Sequence, residues 1–336
     1  MATDTGQTSS RVKKFVTYLL VISALLAAPV LAGLIWQSQK ALSRDSHLTS
    51  AGALILLWNP VKHESVAIGG SPSLMHPVDS VLRRSDLTMT PAAAALLAKN
   101  YGNMINLDVP QLSPSVARGL SQSPYGLCFW NLEVTSPELL AALVSGRCPQ
   151  LSLPIPNLTE AGAKALSQFK GDRLTVTHMT RLSPEAANAL SRCETANLSL
   201  EGLDHLSEEA AEELSRCRTG WLSIGGGWLR SSPTTLSLRS LDSISETTAS
   251  ALSRFQGRSL TLYVKHISEE VAVALSHYPG LLALTTLETL PDAAAHALAG
   301  RKLLKVGLGA SNGPHQLEKL PASAAAILRE ANNNSQ

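Results

Sequence analysis

Aromatic residues are scarce in this 336-residue chain, at 4%, although hydrophobic residues make up 44%. The core must therefore be built from Leu, Ala, Val and Ile, as happens when one small unit is stacked many times. Neither sign of charge dominates: 28 basic residues face 26 acidic ones, for a net charge of +2. That balance offers no electrostatic reason to expect nucleic acid as a partner, since a phosphate-tracking protein needs a basic stripe. The four cysteines, Cys128, Cys148, Cys193 and Cys217, are too few for a disulfide framework in a chain this long. None of them forms a CxxC pair.

Motifs that carry chemistry are also missing. There is no GxxxxGKS/T loop, no HExxH helix, no EF-hand loop and no strand-linked GxGxxG. Gly309-Ala310-Ser311-Asn312-Gly313 matches GxSxG, with His315 close by. A nucleophile elbow leads straight into a helix, and here Pro314 follows, so the segment reads as a loop. The nine histidines lack metal-ligand spacing; His178, His205 and His266 come nearest to alignment, at turns where histidine is ordinarily solvated. No acid, base or nucleophile candidates converge. We expect no enzyme activity, cofactor or metal.

What the chain does contain begins with an uncharged run of 22 residues, Phe15 to Trp36. Arg11, Lys13 and Lys14 precede it, and Lys40, Arg44 and Asp45 follow. About 20 apolar residues span a bilayer, and the more basic flank belongs on the cytoplasmic side. The competing reading is a cleaved signal peptide ending near Val30-Leu31-Ala32, but the run is longer than an ordinary h-region and passes that site. A membrane anchor is therefore expected, with the remainder of the chain outside the cytoplasm.

Self-similarity is the strongest signal. LTEAGAKAL (158–166), LSPEAANAL (182–190), LSEEAAEEL (206–214), ISETTASAL (244–252), ISEEVAVAL (267–275) and LPDAAAHAL (290–298) are variants of one unit. Weaker copies begin at 89, 112, 135 and 320. The second residue of each copy recurs at spacings of 23, 23, 23, 24, 24, 38, 23, 23 and 30. Thr90, Ser113, Ser136, Thr159, Ser183, Ser207, Ser245 and Ser268 stand where a helix N-cap belongs, and Pro or Glu follows several of them. Small residues and a closing leucine then fall on one helical face, as Ala186, Ala187 and Leu190 do. Such two- to three-turn helices need stacking to persist.

Upstream of each cap runs Leu-x-Leu-x-x-Leu-x-x-Leu, for example Leu198, Leu200, Leu203, Leu206, and also Leu236, Leu238, Leu241, Ile244. The first two alternate as in a short strand. Strand, turn, helix and turn in about 24 residues make one coil of a right-handed α/β solenoid. The pattern resembles the leucine-rich repeats, LxxLxLxx(N/C)xL, and most of all their cysteine-containing subtype, in a form familiar from bacteria. The resemblance covers roughly residues 81–330. Where that subtype carries Cys or Asn, this chain has Leu132, Met179, Leu203, Leu241 or Leu287. The usual side-chain ladder to the turn backbone is thereby lost, and less regular turns are expected.

These readings divide the chain into a cytoplasmic tail (1–14), a transmembrane signal-anchor helix (15–36), a linker with an irregular capping element (37–80), about ten repeats (81–330) and a disordered tail (331–336). The fold expected is a curved parallel sheet with short outer helices. Asn106, Cys128, Ser152, Thr175, Ser199, Ser223, Ser237, Thr261 and Ala283 should line its concave face, a row with no Tyr, Trp or Arg to anchor an interface. The 38-residue spacing holds an insertion of 14, including Gly225-Gly226-Gly227-Trp228-Leu229-Arg230. Trp221, Trp228, Leu229 and Arg230 make it a candidate partner-binding loop, against the alternative of a tolerated loop folded back on the solenoid. Cys193 and Cys217 share one position in adjacent coils, where they would either form a disulfide or serve as small buried hydrophobes. The resemblance implies binding of a protein or polysaccharide; the alternatives are a structural envelope component and the recognition arm of an enzyme complex.

Overall fold

The computed structural model describes residues 47–48, 88–100, 104–133, 135–226, 228–232, 235–238, 241–299, 301, 304–306 and 320–333. The uncharged run at 15–36 and the GxSxG segment lie outside them. Among the described residues no helix is long and apolar enough to cross a membrane.

After a two-residue strand β1 (His47–Leu48), which pairs in parallel with β2 (Thr88–Met89), strands and helices alternate. In order these are α1 (Pro91–Asn100), β3 (Ile105–Leu107), α2 (Pro114–Leu120), β4 (Leu127–Phe129), α3 (Pro137–Val144), β5 (Gln150–Pro154) and α4 (Glu160–Leu166). Next come β6 (Arg173–Thr177), α5 (Pro184–Ser191), β7 (Asn197–Leu200), α6 (Glu208–Ser215) and β8 (Trp221–Ile224). A hairpin follows, β9 (Trp228–Ser232) and β10 (Thr235–Leu238). The series closes with α7 (Glu246–Ser253), β11 (Ser259–Tyr263), α8 (Glu269–Ser276), β12 (Leu281–Thr285), α9 (Asp292–Ala299), β13 (Leu304–Val306) and α10 (Ala322–Asn333). Nine of the strands form one sheet in the order β13-β12-β11-β8-β7-β6-β5-β4-β3, every pair parallel. The chain is a repeat α/β solenoid. The last helix runs to Asn333, past the boundary expected at 330.

All eight hydroxyl caps form. Thr90, Ser113, Ser136, Thr159, Ser183, Ser207, Ser245 and Ser268 each accept from the backbone N–H three residues on, at 3.0–3.4 Å. Pro114, Pro137 and Pro184 occupy the first helical turn, where their missing N–H costs nothing. Ser207→Ala should therefore cost about 1 kcal/mol in urea unfolding. A change below a few tenths of that would mean the cap is redundant with packing. The small residues and closing leucines are buried, Ala186, Ala187 and Leu190 at 0% exposure, so each helix lies close on the sheet.

The position ten residues past the caps Thr159, Ser183, Ser207, Ser245 and Ser268 forms a buried column in which size is exchanged. Phe169, Phe255 and Tyr278 are each followed two residues later by glycine, Gly171, Gly257 and Gly280. A Cβ at those glycines would lie within 2.1–2.4 Å of the preceding ring or its hydroxyl. Where the column carries the smaller Cys193 and Cys217, the later position holds Thr195 and Thr219 instead. Conserved total volume across two positions is what a close-packed interior requires. Arg301 closes the column. Its guanidinium lies 5.7 Å from the Tyr278 ring and donates to the carbonyls of Leu275, Ser276, Tyr278 and Gly280.

The turns vary in length. From Ser152 to the buried Ile155 is three residues, and from Thr175 to Met179 or Ser199 to Leu203 is four. The extra residue sits in the left-handed region, His178 at φ 61° and Gly202 at φ 92°. Thr286 does the same at φ 65° between Ala283 and Leu287. With Leu or Met in place of a bonding side chain, the backbone joins coil to coil directly: the Met179 N–H donates to Glu201 and the Leu241 N–H to Tyr263.

One expectation is corrected. Leu236–Leu238, read as a solenoid strand with Ser237 on the open face, is the second arm of the β9–β10 hairpin, antiparallel and outside the main sheet. β8 passes its register straight to β11, Leu222 opposite Leu260 and Ser223 opposite Thr261. The whole insertion thus lies within one coil, between Ile224 and the turn residue Leu241. The Leu-x-Leu spacing is the same for either pairing, and closing a short hairpin loop costs less entropy than waiting for a distant coil.

Candidate functional site

Alternation along each strand buries one set of side chains beneath the helices and leaves the other on an open face. Leu174 and Val176, Leu198 and Leu200, and Leu222 and Ile224 are all at most 1% exposed, while Thr175, Ser199 and Ser223 between them are half-buried. This is the small, hydroxyl-rich row expected from the sequence, with Ser237 removed from it.

The strands are longer than the three residues that the repeat pattern marks, so the same face continues two positions to either side. On one side Gln150, Arg173, Asn197, Trp221 and Ser259 stand in register. On the other, Pro154 pairs with Thr177, and Glu201, Gly225 and Tyr263 occupy the equivalent places in the coils beyond. Trp130 comes directly after β4 on that same side, its backbone N–H donating to Leu107. The face is therefore three rows deep. Its outer rows carry the tryptophan, arginine and tyrosine that the middle row lacks. The missed signal was legible: carrying the strand alternation one step further would have found Arg173, Glu201 and Tyr263.

Two adjoining depressions run across this face. The first, of about 370 Å³, is lined by Met104, Trp130, Gln150, Arg173, His178 and Glu201 among others. The second, of about 240 Å³, runs from Arg173 and Glu201 past Asn197 to Trp221 and Thr261. Arg173, Thr175 and Glu201 line both, so they form one groove with a tryptophan toward each end. Trp130 and Trp221 are each 54% exposed, which is unusual for the largest apolar side chain and typical of an interface anchor.

Glu201 sits between the two depressions and accepts a 3.3 Å hydrogen bond from the Ser199 hydroxyl. Burial pushes its carboxyl above the ordinary range, and the Ser199 bond only partly offsets this. Burial likewise raises the Tyr263 phenol, with Glu201 adding to the shift. Gly225 and Gly226, at φ 78° and 76°, let the Tyr263 ring lie over the backbone; a Cβ on Gly226 would stand 2.8 Å from that ring. Because the folded-state pKa of Glu201 lies above its unfolded value, the native state holds its proton longer. Its contribution to stability thus falls as pH rises from the ordinary carboxylate range through the raised value. Glu201→Gln should stabilise the protein at neutral pH and leave it unchanged in acid below the ordinary range. Equal melting-temperature shifts at both pH values would refute this assignment.

Of the residues expected to bind a partner, Trp221 lies on this face, in β8 and not in the insertion. Trp228, Leu229 and Arg230 lie in β9; their side chains are outside the described residues. Cys193 and Cys217 are buried free thiols, Cys217 pushed up to about 12 by burial. The Cys193 thiol donates a long 3.9 Å bond to the Leu166 carbonyl. His266 bonds Thr289 through Nδ1 at 2.8 Å, and no group of His, Cys, Asp or Glu among the described residues could hold a metal. No protein-family model, curated protein or solved structure matches the chain.

Proposed function

We propose that the chain is a membrane-anchored leucine-rich-repeat protein that acts by binding, presenting its open sheet face outside the cytoplasm to a protein or polysaccharide. The uncharged run Phe15 to Trp36 with its basic flank supports the anchor, and the spacing of leucines and caps supports the repeat type. The repeats are nearest the cysteine-containing, bacterial kind, with an apolar residue in the Cys/Asn place. The observation that carries the binding reading is the groove itself, a continuous depression with a half-exposed tryptophan toward either end and Arg173 between them. Trp228, Leu229 and Arg230 on the hairpin, joined to this face through Gly225 and Gly226, extend the set of candidate anchors.

The test is cross-linking capture by the full chain, solubilised from carbonate-washed membranes and compared with a Trp130→Ala/Trp221→Ala variant. Anchors of this kind contribute about 2 kcal/mol each, so capture should fall at least about tenfold while the melting temperature holds. A carbonate wash that strips the protein from the membrane would remove the anchor from the proposal. Undiminished capture by the double variant would move the site elsewhere. Capture of further copies of the chain alone would favour a structural envelope component.

A further inference from the structure

The groove's chemistry says more about its occupant than that it binds. Arg173 projects from the first residue of β6 into both depressions. Among the described residues no carboxylate reaches its guanidinium, although surface cations elsewhere, such as Lys170 and Arg216, are paired at 2.6–3.0 Å. Glu201, the carboxyl that shares the groove with it, is instead turned to the Ser199 hydroxyl and is partly buried. An arginine left unpaired at the centre of a groove is complementary to an anionic group on the occupant.

The floor narrows the choice. Asn197, Ser199, Ser223 and Thr261 line the second depression with hydroxyls and an amide, while Met104, Leu127, Phe129 and Leu151 join Trp130 in giving the first a mainly apolar lining. A polyhydroxylated ligand is served by such hydroxyls together with flat aromatic and apolar surfaces against the C–H faces of its rings. Trp130 and Trp221 are such surfaces. They stand four strands and about four residues apart, a diagonal of roughly 23 Å at the usual strand spacing and rise, which suits a short linear chain of sugars.

We propose that the groove binds an acidic oligosaccharide, with Arg173 pairing a sugar carboxylate and Trp130 and Trp221 stacking on ring faces to either side. This rests on the binding reading above and names the class of ligand. The detergent-solubilised full chain is titrated with fluorescent pentamers of galacturonic acid and of a glucuronic acid-containing glycan, their carboxyl-reduced neutral counterparts, and pentaglutamate. At least one uronate pentamer should bind with Kd below about 1 mM. Its reduced counterpart should bind at least about tenfold more weakly, the factor a charge-assisted pair supplies. Arg173→Gln should erase that difference, and either Trp→Ala should weaken both sugars; all three residues are exposed, and thermal melts confirm folding. Binding of pentaglutamate but not uronates, or sugar binding indifferent to Arg173 and both tryptophans, overturns the glycan inference. Failure of both uronate probes beside undiminished wild-type capture of a protein that depends on Trp130 and Trp221 overturns it too, while leaving the binding reading intact. Failure of every probe together with face-independent capture brings both down.

Discussion

Leu200→Ala is expected to lower the unfolding free energy by about 2–5 kcal/mol, while Ser199→Ala beside it should change it by no more than about 0.5 kcal/mol. Leu200 is fully buried between the sheet and the helix layer. Its neighbours in the column are Val176 and Ile224, held in parallel register on either side. Truncation removes the transfer energy of three carbons and leaves a cavity that the adjacent coils cannot fill without shifting the ladder. Ser199 is on the other face, its hydroxyl donating only to the partly exposed Glu201, so its loss is met by water. Urea unfolding of the two variants side by side makes the measurement. Similar losses would mean that the assignment of faces is wrong for this strand.

Gly257→Ala should cost about 3 kcal/mol, an unusually large effect for one methyl group. The new Cβ would lie 2.1 Å from Phe255 Cζ and 2.7 Å from the Thr219 carbonyl oxygen, so a rigid ring and a neighbouring coil's backbone must both give way. The Phe255 ring is itself hemmed in by Tyr278, stacked at 6.1 Å. Phe255→Cys alone should also destabilise, by about 3 kcal/mol or more, through the cavity it leaves. Together the two changes shift volume from the first position to the second, toward the arrangement of Cys193-x-Thr195, and the double variant should cost about 1–2 kcal/mol less than the sum of the singles. Simple additivity in a double-mutant cycle would show that the two positions do not share one volume.

Much of this architecture is readable without coordinates, because the information is local and repeated. A hydroxyl cap, a proline or glutamate after it, and a leucine on the same helical face act within a few residues of one another, and ten copies average out the noise. That is why all eight hydroxyl caps fall on the serines and threonines expected of them. The aromatic-x-Gly and Cys-x-Thr exchange was equally open to view, but it takes the geometry of Gly171, Gly257 and Gly280 to show why the pairs vary together.

The sequence by itself determined the period, the helices with their caps, and which side of the strands in the main sheet is buried, since these depend on contacts between residues close along the chain. Two things were decided only by tertiary structure. Whether Leu236–Leu238 joins the sheet or folds back on Trp228–Ser232 is a competition between pairings with identical side-chain spacing, settled by chain closure and not by pattern. The candidate site is a juxtaposition across five coils. Trp130, Arg173, Glu201 and Trp221 are separated by tens of residues, belong to no shared motif, and meet only because parallel strands in register set them on one face.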